Sequence, residues 1–108
     1  MRTPALLLAA LLALPGVAAA QDEEALIVNG RAFAEENCAR CHAVGPTGDS
    51  PLEAAPPFRR FQTMWPLESL EEALGEGIVV GHPDMPAFEL ESFEIDALIA
   101  YLGSLPAN

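Results

Sequence analysis

The stretch Cys38-Ala39-Arg40-Cys41-His42 decides how this chain is organised. A Cys-x-x-Cys-His pentapeptide is typical of a site where c-type haem is attached covalently. Positions i, i+3 and i+4 share one face of a helix, so a helical turn here would point both thiols and the imidazole the same way. The thiols of Cys38 and Cys41 can then form thioethers with the two haem vinyl groups. The motif therefore predicts one haem c, with His42 as an axial ligand of the iron.

Three other interpretations of these cysteines compete with haem attachment. A thioredoxin-like redox pair also uses Cys-x-x-Cys, but it needs a βαβ context, and this motif follows a helical pattern. Zinc would use Cys38, Cys41 and His42, with His82 as a candidate fourth ligand. Structural zinc sites use two separated pairs of ligands, which the adjacent Cys41 and His42 fit poorly. A disulfide between Cys38 and Cys41 would close a loop too short to stabilise much. Haem attachment is favoured over all three.

Residues 1–20 have the pattern of a secretory signal peptide. Arg2 supplies a positive start, residues 6–14 are apolar, and Ala18-Ala19-Ala20 form a small-residue cleavage site before Gln21. The apolar run is too short to span a bilayer, which makes an uncleaved anchor the weaker alternative. Export agrees with haem attachment, because bacteria attach c-type haem outside the cytoplasm. We therefore expect a periplasmic protein.

The mature chain, residues 21–108, is predicted to be one small acidic domain. Its 88 residues (108 less 20) have a limited core of their own, which a covalently held haem would reinforce. It keeps four Arg, no Lys and all sixteen acids, so its formal charge is −12. This charge disfavours nucleic acid and anionic membranes and favours redox partners with a basic docking face. We expect a monomer with no stable membrane insertion once the signal is cleaved.

Helical periodicity without strict alternation predicts an all-α fold. Gly30 lies inside the first predicted helix, where it costs about 1 kcal/mol against Ala, and close approach of another helix would compensate. The predicted helices span residues 25–41, 58–64, 67–74 (ended by Gly75 and Gly77) and 92–102, with loops at 43–57 and 81–86.

With these residues in hand, the mature chain resembles the class I cytochrome c family along essentially its whole length. Gly30, eight residues before Cys38, matches the helix-contact glycine of that family, and residues 98–102 look like the last-helix signature that crosses there. Residues 55–58 resemble the loop under the proximal side of the haem, and Met85-Pro86 resembles the distal loop. The resemblance implies a cytochrome c fold, in which three main helices, short helices and loops surround one haem c.

Two features depart from the family. Ala34 stands where an aromatic residue usually follows the glycine by four positions, and Phe33 comes one place earlier. The lysine ring with which mitochondrial members dock is missing. The packing of the first helix on the last, and the partners, are therefore expected to differ from those of mitochondrial members.

Met85 is the predicted second axial ligand of the iron. It lies between Pro83 and Pro86, which restrict the backbone and remove two amide donors. Met64, the other methionine of the mature chain, lies in an apolar helical context and is predicted to be core. His82 is the alternative ligand, or else a loop residue near the haem edge.

Pro56 is the best candidate for the carbonyl that accepts a hydrogen bond from Nδ1 of His42. Such a bond fixes the orientation of a ligating imidazole. Pro57 is the alternative, one residue away.

The haem propionates also need polar partners. Trp65 is predicted to donate its indole N–H to a propionate, because a buried indole needs an acceptor. Arg59 or Arg60 can pair with a propionate, although exposed arginines often have no specific role. An acidic helix face is interpreted as solvated surface, with a docking patch as the alternative; its residues are Glu68, Glu71, Glu72 and Glu76.

A haem ligated by His42 and Met85 has no open coordination position. Thioether ligation also raises the reduction potential relative to two histidines. We therefore expect a periplasmic one-electron carrier and not an enzyme. The alternatives are a haem subunit bound permanently in a periplasmic dehydrogenase complex, and a haem enzyme or gas sensor in which Met85 is displaced.

Overall fold

The computed structural model describes residues 2, 5, 9–10, 15–77 and 84–107. This part of the chain is helical and contains no strand, so the all-α fold is confirmed. Its elements are α1 (Pro15–Asn37), a 3-10 turn (Phe58–Arg60), α2 (Phe61–Met64), α3 (Leu67–Glu76) and α4 (Ser92–Ser104).

Helices α1 and α4 cross at Gly30. A Cβ atom at this position would lie 1.9 Å from the carbonyl oxygen of Ala97 and 2.8 Å from Cβ of Tyr101. Only a glycine allows the two backbones to come this close. One turn further along α1, Ala34 is fully buried, so a methyl group fills the position where the family usually has an aromatic ring. The predicted helix contact at Gly30 is confirmed.

Helix α3 packs antiparallel to α4. Leu67, the first residue of α3, lies beside Gly103 near the end of α4: a Cβ at Gly103 would be 3.5 Å from Cδ1 of Leu67. Near its last residue, a Cβ at Gly75 would lie 3.7 Å from Cδ1 of Ile95, near the start of α4. The opposite face of α3 is solvated, as its acidic pattern predicts, and its exposed acids are Glu68, Glu71, Glu72 and Glu76.

One hydrophobic core joins α1, α3 and α4 to the residues that follow the cysteine motif. Its buried members are Ala34, Val44, Phe58, Leu74, Ile95, Leu98, Tyr101, Leu102 and Leu105. The predicted apolar face of α4 is therefore present, although Ile99 is only half-buried. Val44 and Phe58 bring the two ends of the 43–57 loop into this core.

The predicted limits of the first helix are wrong at both ends. Helix α1 begins ten residues early, at Pro15 and not at residue 25, because proline is tolerated in a first turn and the alanines after it favour helix. It ends at Asn37 and not at Cys41. The amides of Cys38 and Ala39 both donate to the Ala34 carbonyl, at 2.8 and 3.1 Å, which breaks the regular ladder.

The first turns of α1 stand away from the core. Ala19, Ala20 and residues 22–25 are exposed. Among the α1 side chains that the structure describes, Ile27 is the first to pack against the core. No helix of the described residues is both long enough and apolar enough to cross a membrane.

The other predicted helices agree with the structure to within two residues. Gly77, with φ of 87°, ends α3, as expected of a glycine in the left-handed region. Gly75 does not end it and lies inside the last turn. The predicted loop at residues 81–86 is described only from Asp84 onwards.

Candidate haem-binding site

His42 is a buried imidazole with one ring nitrogen already bonded. Its Nδ1 atom lies 2.7 Å from the carbonyl oxygen of Pro56, and the residue is only 8% exposed. A carbonyl can only accept, so Nδ1 must carry the proton of this hydrogen bond. In the neutral ring the lone pair is then on Nε2. The side chain can therefore offer Nε2 to a metal in a fixed orientation.

Two phenylalanine rings pack against the imidazole of His42. The ring centroids of Phe58 and Phe61 lie 5.2 and 5.8 Å from that of His42. The two phenylalanine rings also contact each other, with centroids 4.8 Å apart. The 3-10 turn and α2 thus supply an apolar wall that limits rotation of the imidazole.

The cysteine motif forms a turn of its own directly after α1. The amides of Cys41 and His42 both donate to the Cys38 carbonyl, at 3.2 and 2.9 Å. The bond from the His42 amide to the Cys38 carbonyl closes one helical turn, as predicted for a motif whose thiols and imidazole share one face. This turn does not belong to α1. Both thiols are unpaired and half-buried.

The surroundings of Cys38 favour a neutral sulfur. Burial, together with the nearby Cys41, raises the pKa of the Cys38 thiol to about 11. A redox-active cysteine pair needs a lowered pKa, and zinc binds the thiolate. Within the described residues, no group of three or more His, Cys, Asp or Glu side chains is arranged to hold a metal ion. Thioether formation, which leaves an uncharged sulfur, suits this environment better than either alternative.

The 43–57 loop folds back onto the motif. The Leu52 amide donates to the Cys41 carbonyl at 3.1 Å, and the Ala43 amide donates to Oγ of Ser50 at 3.0 Å. Arg59 secures the far side of the loop through its Nη1 atom, which donates to the Gly48 carbonyl at 2.6 Å. One nitrogen of the Arg59 guanidinium is therefore already bonded to the main chain at the surface, whereas the side chain of Arg60 is exposed.

Two predicted burials are wrong. Trp65 is 41% exposed and Met64 is 48% exposed. The Trp65 ring packs edge-on against Phe61, with centroids 5.7 Å apart. A partly exposed indole can reach solvent, so the need of a buried indole for an acceptor does not apply to Trp65. A contact between this indole and a propionate stays a prediction, and Met64 is not core.

Met85 is half-buried in the segment that leads into α4. Phe88 and Leu90 of the same segment are also half-buried, and Leu90 packs against the core. The alternative ligand, His82, lies outside the described residues. Ligation of iron by Met85 therefore stays a prediction.

Sequence reasoning missed two long-range side-chain hydrogen bonds, and the first of them ends two residues after His42. The Tyr101 hydroxyl donates to the Val44 carbonyl at 2.6 Å. Gln62 donates through Nε2 to the carbonyls of Leu102 and Leu105, at 2.7 and 3.2 Å, and so joins α2 to the end of α4. No local pattern indicates either bond, because the partners are far apart in the sequence.

The comparison with protein families decides the identity. A family model described as cytochrome c oxidase, cbb3-type, subunit III matches residues 25–102. The chain belongs to this family. It is therefore a cytochrome c domain, and its resemblance to class I cytochromes c is confirmed. Curated proteins and solved structures gave no match to it.

A cytochrome c domain implies haem binding, electron transfer and a covalently attached haem c. The residues present in this cytochrome c domain fit that group. Cys38 and Cys41 offer two unpaired thiols in one turn, and next to them His42 offers Nε2 from a ring held by Pro56.

Proposed function

We propose that this cytochrome c domain is an exported periplasmic one-electron carrier with a single haem c. Cys38 and Cys41 would hold the haem by thioethers, and His42 and Met85 would bind its iron. The observation that carries the proposal is the 2.7 Å hydrogen bond between His42 Nδ1 and the Pro56 carbonyl, beside two unpaired thiols. When bound, the haem supplies an iron that gains and loses one electron.

The chain's own residues give that iron a fixed environment. The Pro56 carbonyl holds the imidazole in one orientation, and the rings of Phe58 and Phe61 pack against it. An axial site that is already ordered needs little rearrangement when the iron changes charge. This favours rapid electron transfer over catalysis, which would need an open coordination position.

The proposed partner is a redox protein with a basic docking face. Two observations support a basic partner: the acids of α3 are exposed, and the formal charge after cleavage is −12. Long-range attraction between opposite charges raises the rate at which two such proteins associate. Periplasmic location is proposed on the signal-like residues 1–20 and on the need to attach haem outside the cytoplasm.

A reversible redox titration tests the carrier proposal. The purified mature protein should take up one electron per haem, and its reduced spectrum should not change under carbon monoxide, because Met85 closes the sixth position. A spectrum that shifts at once under carbon monoxide would contradict the proposal and favour a haem enzyme or gas sensor.

A second candidate is a haem subunit held permanently in a larger complex. The family description, which names a subunit of an oxidase, favours an oxidase complex over the dehydrogenase complex that the sequence left as an alternative. Fractionation separates the two candidates. A carrier should leave the cell with the soluble periplasmic fraction and elute as a monomer, whereas a subunit should stay with other chains through purification.

A further inference from the structure

Tyr101 is a buried polar side chain that joins the last helix to the residues following His42. It is 4% exposed, and its hydroxyl donates to the Val44 carbonyl at 2.6 Å. Packing alone would be satisfied by a phenylalanine at this position. The hydroxyl adds a directed bond to a main-chain carbonyl two residues after His42.

The Val44 carbonyl belongs to a pair of chain segments that enclose the imidazole. Residues 42–44 and 56–58 run beside each other and share two hydrogen bonds. One is the bond from His42 Nδ1 to the Pro56 carbonyl, at 2.7 Å, and the other runs from the Phe58 amide to the Ala43 carbonyl, at 2.9 Å. Among the side-chain hydrogen bonds of the described residues, the bond from the Tyr101 hydroxyl to the Val44 carbonyl connects this pair of segments to α4.

The hydrogen bond from Tyr101 to Val44 does not depend on pH in the working range. Burial is the main cause that raises the pKa of the Tyr101 hydroxyl, with Glu35 acting in the same direction and Arg31 against it. The hydroxyl is therefore protonated, and able to donate, at every pH at which the protein is expected to work.

We propose that Tyr101 is a positioning residue for the axial imidazole of His42. By holding the Val44 carbonyl, its hydroxyl fixes the path of the chain after His42, and with it the orientation of the imidazole toward the haem iron. Without the hydroxyl, a buried carbonyl would lose its donor, and residues 42–44 would shift to find another. The inference rests on the proposed function, because it requires His42 to bind the iron.

The test compares Tyr101→Phe with Gln62→Ala in the haem-loaded protein. Gln62 is the matched control, because it also bonds main-chain carbonyls near the end of α4 but makes no bond to residues 42–44. The proton resonances of the four haem methyl groups in the oxidised protein report the orientation of the axial imidazole. We expect them to move in Tyr101→Phe and to keep their wild-type positions in Gln62→Ala.

Amide exchange gives a second measurement that does not depend on the iron. The Phe58 amide reports the bond to Ala43, so its exchange should quicken by about fivefold or more in Tyr101→Phe, as expected for a weakened hydrogen bond. It should stay unchanged in Gln62→Ala.

If Tyr101→Phe does not fold, a protein that contains 3-fluorotyrosine at residue 101 provides the test instead. Because the chain contains one tyrosine, incorporation of 3-fluorotyrosine alters this hydroxyl alone. The fluorinated phenol is a stronger donor, so the methyl resonances should again move while the protein stays folded.

Methyl resonances that keep their wild-type positions in both altered forms would overturn the inference and leave the proposed function standing. Equal displacement in Gln62→Ala would also overturn it, because the effect would then be general loosening of α4. A wild-type protein that never takes up haem would overturn the proposed function and this inference together.

Discussion

The Gly30 α-carbon faces the carbonyl oxygen of Ala97 so closely that a Cβ atom there would lie 1.9 Å from that oxygen. Since the oxygen belongs to the backbone, no change of rotamer could relieve the clash. The crossing of α1 over α4, on which the core is built, therefore depends on the absence of a side chain at residue 30.

Gly30→Ala should destabilise the protein. Alanine favours a helix over glycine by about 1 kcal/mol, but overpacking typically costs about 1–3 kcal/mol and here requires two helices to separate. The difference is a net loss of about 0–2 kcal/mol in the free energy of unfolding. We expect the upper end of this range, measured with denaturant, because the clash is with backbone. Gly75→Ala is the control, because its Cβ would make only an ordinary contact, 3.7 Å from Ile95. Equal stability of the two variants would contradict the packing described here.

The sequence predicted features that arise from local physics. Periodicity revealed the helices, and a glycine inside an apolar helix indicated a close helix contact at Gly30. The start of α1 was mispredicted because residues 1–20 have the pattern of a signal peptide. That pattern does not indicate whether the first helix of the domain extends back into these residues. Its end was mispredicted because bifurcated bonding to Ala34, which stops the helix, has no signature in sequence.

Contacts between distant residues could not be predicted in the same way. The bond from Tyr101 to Val44 spans 57 residues, and the bond from Gln62 to Leu102 spans 40. Both depend on where helices cross, which a single sequence does not specify. Burial of Met64 and Trp65 was mispredicted for a related reason, since apolar neighbours in sequence do not fix which way a short helix faces.

The assignment of Met85 as the second iron ligand predicts a clear difference between two methionine variants. Met85→Ala should abolish the weak near-infrared band of the oxidised protein that arises from thioether-to-iron ligation, and should lower the reduction potential. Met64→Ala is the control and should keep the band. Because Met64 is 48% exposed, its truncation should cost less than about 1 kcal/mol of stability. Loss of the band in Met64→Ala alone would reverse the assignment.

Export predicts a mature amino terminus at or near Gln21. The exposed side chains of Ala19, Ala20 and residues 22–25 agree with cleavage that leaves the core intact. N-terminal analysis of protein purified from the periplasm measures this directly. A mature protein that still begins with Met1 would contradict cleavage and favour an anchor.

Electron transfer to the physiological partner should slow as salt is added. The screening length falls from about 10 Å at 0.1 M to about 3 Å at 1 M ionic strength, which weakens steering between an acidic and a basic face. Stopped-flow measurement of the second-order rate constant over this range tests the prediction. A rate constant that does not change with salt would mean that the docking face is apolar and that the acids serve solubility.

The central claim is that Cys38 and Cys41 hold a haem covalently, and a haem stain on a denaturing gel tests it most directly. Protein matured with the haem-attachment machinery should stain as wild type and as the Met64→Ala control. Each single Cys→Ser variant keeps one thiol and should stain less, and the double variant should not stain at all. A wild-type band that carries no stain, or a double variant that stains like wild type, would contradict the claim.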